Sequence, residues 1–160
     1  MCSLTVAPEP IGCLPDGSQG SVSTNCGEVD RMANLRVLLV DDEDDILKLI
    51  GIRIRSWGYD FVEAKNGKEG IEAVKNKMAD IVVLDFMLPD LDGVAVLKKI
   101  RQINKKIPVI MFTAYPSGQA MHDVQNLNIT AFVAKLSVTA DTNELLKAAI
   151  DIGAKKLLQK

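Results

Sequence analysis

Polar or charged residues directly follow or end four separate apolar runs of the sequence: they are Asp41, Asp42, Asp85, Thr113 and Lys135. Three of the five are carboxylates, whose oxygens are the ligands that a hard cation such as Mg²⁺ prefers. A hydroxyl and an ammonium group can bind the oxygens of an anion beside such a cation. These residue types favour Mg²⁺-dependent phosphoryl chemistry, in which Asp85 carries a phosphoryl group and Thr113 and Lys135 hold its oxygens.

The stretch VLLVDDEDD, residues 37–45, places five acidic residues in succession. Like charges about 4 Å apart repel by about 1–4 kcal/mol at the dielectric constants of water and protein surfaces, so something must offset this cost. A bound Mg²⁺ would do so for Asp41 and Asp42. For the next three acidic residues, the first turn of a helix is an equally good explanation, because carboxylates there cap free amides and favour the positive end of the helix dipole.

The apolar runs have the length of β-strands. Residues 36–40, 81–85 and 109–113 are almost continuously apolar, which is typical of parallel strands covered on both faces. Residues 59–64 alternate and residues 130–134 are short, so they suit the sheet edges. Four helical stripes lie between or after the strands: Ile46, Leu47, Ile50, Ile54; Ile71, Val74, Met78; Val96, Leu97, Ile100; and Leu145, Leu146, Ala149, Ile150, Gly153.

A fifth, weaker helical pattern lies within residues 115–128, and its low propensity predicts marginal local stability. Five strand and helix units with short connections predict an α/β fold, a doubly wound five-stranded parallel sheet of (βα)5 type. Ligands of such sheets bind beyond the carboxyl ends of the strands. The five polar residues above are therefore expected to meet at one edge.

Composition narrows the function further. The chain of 160 residues has a formal net charge of -2, which gives no basic surface for nucleic acid. No apolar run is long enough to span a membrane and no signal peptide is recognisable, so we expect a cytoplasmic protein. Residues 1–34 are rich in Pro, Gly and Ser and are predicted to be a disordered extension, with one domain over residues 35–160.

Four segments in order, LLVDDE, IVVLDFMLPDLDG, VIMFTA and FVAK, resemble the CheY-like receiver domain of bacterial two-component response regulators over about residues 35–158. The resemblance implies a flavodoxin-like strand order of 2-1-3-4-5. It also implies that Asp85 accepts a phosphoryl group from a histidine kinase, a histidine phosphotransfer protein or a small phosphodonor.

The resemblance further assigns roles within the site. Asp42, Asp85 and the backbone carbonyl of Met87 would bind Mg²⁺ directly, and Asp41 would act mainly through water. Thr113 and Lys135 would bind the phosphoryl oxygens. Phe132, three residues before the lysine, would be the aromatic switch residue that turns inward when Thr113 moves.

One feature departs from the family pattern, in which the lysine usually precedes a proline in a cis bond. Here the pair is Lys135-Leu136, and a cis bond before a residue other than proline costs about 2.5–4 kcal/mol, so a trans bond is expected.

The sequence also predicts how the signal leaves the domain. The chain ends at AAIDIGAKKLLQK, which predicts a stand-alone receiver that is not an enzyme and that signals by binding a downstream protein. The expected output surface comprises the helix within 115–128, the fifth strand and the last helix.

Two other functions compete with this interpretation. An Asp-nucleophile phosphohydrolase would need a second Asp two residues after Asp85, where the chain has Met87. A nucleotide-binding module would need glycines in the first strand-to-helix turn, which reads VDDEDD and has none.

Overall fold

The computed structural model describes residues 35–114, 122, 124, 126–135 and 140–159. The described part contains five strands and four helices with defined bounds, in the order β1 (Arg36–Val40), α1 (Asp44–Ser56), β2 (Asp60–Ala64), α2 (Gly67–Lys75), β3 (Ile81–Leu84), α3 (Gly93–Ile103), β4 (Val109–Thr113), β5 (Ala131–Ala134) and α4 (Ala140–Leu158). The predicted strands are confirmed to within one residue at each end. The predicted extension 1–34 lies outside the described residues, as does the predicted helix within 115–128 except for residues 122, 124 and 126–128.

All strands are parallel and the sheet order is β2-β1-β3-β4-β5, as predicted. Side chains of successive strand residues point to opposite faces, so β1 contributes to two cores. Val37 and Leu39 pack with α1 and α4, while Leu38 and Val40 pack with α2 and α3. The two faces are therefore both covered, which explains why the central strands are continuously apolar.

Two residues of the predicted helical stripes are exposed instead of buried. Helix α2 ends at Lys75, and Lys77 adopts a positive φ of 55°, so Met78 lies beyond the helix and outside the core. In α4 the neighbouring Leu146 is fully buried, and one residue of helix turns the side chain of Leu145 by about 100°, into solvent. Both assignments were wrong because the period alone does not fix where a stripe ends.

The acidic run divides between the strand end and the first helix. Asp44 and Asp45 lie in the first turn of α1, and Glu43 is its N-cap residue without a side-chain capping bond. The helical interpretation is thus confirmed for Asp44 and Asp45. Among the described residues, no helix has the length and apolar character required to cross a membrane.

Candidate functional site

The carboxyl edge of the sheet brings the predicted polar residues together. The backbone holds two of them in place on adjacent strands: the N–H of Asp41 donates to the carbonyl of Ala64 at 3.0 Å, and the N–H of Asp85 donates to the carbonyl of Val40 at 2.9 Å. Both carboxylates therefore extend from the parallel ladder itself, which fixes their separation.

Lys135 follows β5 and reaches back across the sheet edge to both carboxylates. Its backbone N–H donates to the carbonyl of Thr113 at 2.7 Å, and its Nζ donates to Oδ2 of Asp85 at 2.7 Å and to Oδ2 of Asp41. The three side chains are almost fully buried, with 7% of Lys135, 0% of Asp41 and 7% of Asp85 exposed. This direct pairing was not predicted from the sequence.

Burial and pairing shift the acid–base equilibria of this triad. Burial raises the pKa of Asp41, and the hydrogen bonds from Lys135 and from the N–H of Glu43 offset only part of that effect. Burial alone would lower the pKa of Lys135, but its hydrogen bonds and charge interactions with Asp41 and Asp85 outweigh this and raise it. Lys135 is therefore a permanent cation at neutral pH.

The three aspartates also form a group that can hold a metal ion. One carboxylate oxygen from each of Asp41, Asp42 and Asp85 lies within 4.8 Å of the other two. Asp42 is exposed while the other two are buried, so the group opens to solvent on one side. An oxygen-only set that leaves room for water molecules fits Mg²⁺, which usually keeps part of its hydration shell.

A cavity of about 300 Å³ opens over this group. Its lining residues come from all four strand ends named in the sequence analysis and are Asp42, Glu43, Asp85, Met87, Thr113, Ala114 and Lys135. Thr113 is fully buried at the end of β4. A small polyatomic anion therefore has space beside Asp85, Thr113 and Lys135 together.

Two further predictions concern Phe132 and the peptide bond after Lys135. Phe132 is half-buried in β5 and packs against the core on the side of α2 and α3, so its role as a switch remains a prediction. The Lys135-Leu136 peptide bond lies outside the described residues.

The sequence analysis missed Gly93, the last residue of the segment LPDLDG. A Cβ at Gly93 would lie 2.6 Å from the carbonyl oxygen of Asp85, so only glycine lets α3 begin so close to the site.

Comparisons with known proteins agree with this geometry. The response regulator receiver domain model matches residues 37–150. The alkaline phosphatase synthesis transcriptional regulatory protein PhoP of Bacillus subtilis is 40% identical over 81 residues, which are 51% of this chain and 34% of that protein. The probable transcriptional regulator ycf27 of Guillardia theta is 38% identical over 93 residues, 58% of this chain and 36% of that protein.

Solved structures give the same fold. The signal receiver domain of a putative Luxo repressor protein from Vibrio parahaemolyticus has a TM-score of 0.71 and 25% identity, over 79% of this chain and 95% of that one. The response regulator TrrA of Thermotoga maritima, solved in complex with Mg²⁺ and BeF, has a TM-score of 0.64 and 27% identity, over 74% and 98% of the two chains.

The matched segment spans only about a third of the two curated relatives, whose remaining parts have no counterpart in the comparison. The family match nevertheless covers most of the described domain, from Val37 in β1 to Ile150 in α4. This chain therefore belongs to the response regulator receiver domain family and contains the receiver domain of a two-component response regulator.

Proposed function

We propose that Asp85 accepts a phosphoryl group from a phosphohistidine of a histidine kinase or histidine phosphotransfer protein, in a reaction that requires Mg²⁺. The observation that carries this proposal is the position of Asp85 in the cavity: its carboxylate is 2.7 Å from Nζ of Lys135 and shares the cavity wall with Thr113. A nucleophile, a cation and a hydroxyl group thus surround one anion-sized space.

The aspartate group supports the magnesium requirement. Asp42, Asp85 and the backbone carbonyl of Met87 would hold the ion directly, and Asp41 would act through water, as the family resemblance implies. When bound, Mg²⁺ neutralises negative charge on the transferring phosphoryl group. The complex of the similar Thermotoga maritima response regulator with Mg²⁺ and BeF supports this assignment.

The transfer itself forms one bond and breaks another. A carboxylate oxygen of Asp85 forms the new O–P bond, while the P–N bond to the donor imidazole breaks and its electron pair returns to the ring nitrogen. Lys135 stays beside the site as a cation and exchanges part of its contact with Asp85 for the phosphoryl oxygens. Because the Asp85 side chain is only 7% exposed, few water molecules compete for the phosphoryl group.

The output is proposed to be binding to another protein. A phosphoryl group carries about -1.5 to -2 charges near pH 7 in place of one carboxylate charge, which biases Thr113 and Phe132 between two arrangements. The chain is then a phosphoacceptor and not a turnover enzyme. A stand-alone receiver, a cytoplasmic location and the absence of direct nucleic acid binding remain predictions, since the curated relatives are named as transcriptional regulators.

The test is phosphorylation by acetyl phosphate with Mg²⁺, followed by intact mass measurement and peptide mapping. The wild-type chain should gain one phosphoryl group, and Asp85→Asn should gain none. Asp45→Asn is the matched control, because Asp45 is an exposed acidic residue in the first turn of α1, outside the aspartate group. Undiminished labelling of Asp85→Asn would contradict the proposal.

A phosphohydrolase remains the alternative with the next best support. Met87 stands where such an enzyme has its acidic residue, and its contribution toward Asp85 is a backbone N–H that donates to Oδ1 at 3.3 Å. A thioether cannot protonate a leaving group, so steady turnover of phosphomonoesters is not expected. Sustained release of phosphate from p-nitrophenyl phosphate would favour the alternative.

A further inference from the structure

The segment between β3 and α3, residues 85–92, carries both Asp85 and the Met87 carbonyl. Its two ends are fixed by backbone hydrogen bonds: the N–H of Asp85 donates to Val40, and the N–H of Gly93 donates to the carbonyl of Phe86 at 2.9 Å. The middle of the segment is held by a side chain, that of Asp90.

Asp90 binds the first turn of a helix that is remote in sequence. Its Oδ1 accepts the N–H of Gly67 at 2.8 Å and its Oδ2 accepts the N–H of Lys68 at 3.0 Å, so one carboxylate ties the segment to the start of α2. Burial alone would raise the pKa of Asp90, but these two N–H groups, together with those of Asp90 itself and Leu91, outweigh it and lower the pKa. The folded chain therefore favours the charged form of Asp90.

Capping of α2 does not by itself account for this contact. The helix has its own N-cap, Asn66, whose Oδ1 accepts the N–H of Glu69 at 2.9 Å. The junction is also unusually close, because a Cβ at Gly67 would lie 2.5 Å from Cγ2 of Val96 and 3.3 Å from Oδ1 of Asp90. Glycine at position 67 thus allows the segment, α2 and α3 to meet.

We infer that Asp90 is a positioning residue for the magnesium and phosphoryl site. It fixes the segment against α2 and so holds the Met87 carbonyl and the Asp85 carboxylate in one arrangement. This inference rests on the proposed function, because it assigns the segment to a metal site. Without Asp90, the segment samples other conformations, and the apparent metal affinity falls by the fraction of time spent in the competent one.

The experiment compares Mg²⁺ affinity, measured by isothermal titration calorimetry without any phosphodonor, in wild type, Asp90→Ala, Asp90→Asn and Asn66→Ala. Asn66→Ala removes the two hydrogen bonds between Asn66 and Glu69 at the same helix end but leaves the segment tied, so it controls for fraying of α2. We expect about 3- to 10-fold weaker binding for Asp90→Ala. Asp90→Asn keeps one acceptor oxygen and should lie between Asp90→Ala and wild type, and Asn66→Ala should stay within about twofold.

Amide hydrogen exchange gives a second readout. The N–H of Met87 should exchange faster in both Asp90 variants than in Asn66→Ala, and Asp90→Asn keeps the comparison possible if Asp90→Ala does not fold. Equal affinity in the Asp90 variants and Asn66→Ala would overturn the inference alone, provided that Asp42→Asn weakens binding. A wild-type chain that does not bind Mg²⁺, or an Asp42→Asn variant that binds it normally, would overturn the proposed function and the inference together.

Discussion

The substitution Lys135→Met tests how strongly the buried charges depend on one another. Methionine is similar in size and unbranched but has no charge, so the change removes the ammonium and leaves most of the packing in place. Both carboxylates that Lys135 contacts are buried, Asp41 completely. Without a cation they remain in a low-dielectric site in which each other and Asp42 are the neighbouring charges.

Breaking a buried ion pair by removing one partner typically costs about 3–5 kcal/mol, because the remaining charge is left uncompensated. We expect Lys135→Met to lose stability in this range at pH 7 in a chelating buffer. The matched control is Lys147→Met, since Lys147 pairs with Asp151 at the same distance of 2.7 Å but is 44% exposed. An exposed pair of this kind is worth about 0.3–0.5 kcal/mol, so the control should lose less than 1 kcal/mol.

The assay is urea denaturation followed by circular dichroism, with the free energy of unfolding extrapolated to water. Two additions should restore Lys135→Met: millimolar Mg²⁺, because a divalent cation replaces the lost charge, and the second substitution Asp85→Asn, because it removes one of the opposed carboxylates. Each addition should therefore stabilise the Lys135→Met background more than wild type.

A loss below about 1 kcal/mol for Lys135→Met, or equal effects of Mg²⁺ on both backgrounds, would refute this account of the site.

Three further predictions concern Tyr59, Gly93 and Met87. The OH of Tyr59 donates to Asp151 at 2.6 Å. Burial of the phenol, and after it this hydrogen bond, raises the pKa of Tyr59. The neutral phenol therefore stabilises the fold fully below about pH 10, and this stabilisation is lost as the pH rises through the folded-state pKa. Tyr59→Phe should lower the free energy of unfolding by about 1–2 kcal/mol at pH 7. The free energy of unfolding, measured by urea denaturation, should then fall less steeply at alkaline pH than in wild type. Gly93→Ala should destabilise by about 1–3 kcal/mol, because the new Cβ would meet the carbonyl of Asp85, whereas helix propensity alone predicts a gain. Met87→Asn should shorten the half-life of phosphorylated Asp85, measured by intact mass after donor removal, since an amide can orient the attacking water that a thioether cannot; an unchanged half-life would contradict this.

The sheet and its functional edge could be predicted from sequence because each depends on a short-range pattern. Continuous apolar runs identify strands covered on both faces, and parallel strands necessarily bring their carboxyl ends to one edge. Asp41, Asp85 and Thr113 needed no further information to be brought together. Met78 and Leu145 were assigned wrongly, since a helical period does not reveal where the helix ends or how wide its buried face is.

Contacts between loops had no local signature. Asp90 accepts hydrogen bonds from two backbone N–H groups that lie 22 and 23 residues away in the sequence. Nothing in the segment LPDLDG indicates that its partner is the start of another helix. The pairing of Lys135 with two aspartates likewise depends on the length and direction of a side chain that crosses two strands. Such contacts follow only from the assembled sheet order.

The charges of the site explain why a cation and a phosphoryl group belong to the same place. Three aspartates and one lysine leave a formal charge of about -2, which a single divalent cation balances. In the proposed reaction, phosphorylation of Asp85 would replace one carboxylate charge by about -1.5 to -2, so a cation and Lys135 would be held more strongly after transfer than before. Because Lys135 is anchored through its backbone to the carbonyl of Thr113, any movement of the ammonium toward the phosphoryl oxygens acts on the ends of β4 and β5. We expect the change in charge at Asp85 to act in this way on the strands next to the proposed output surface.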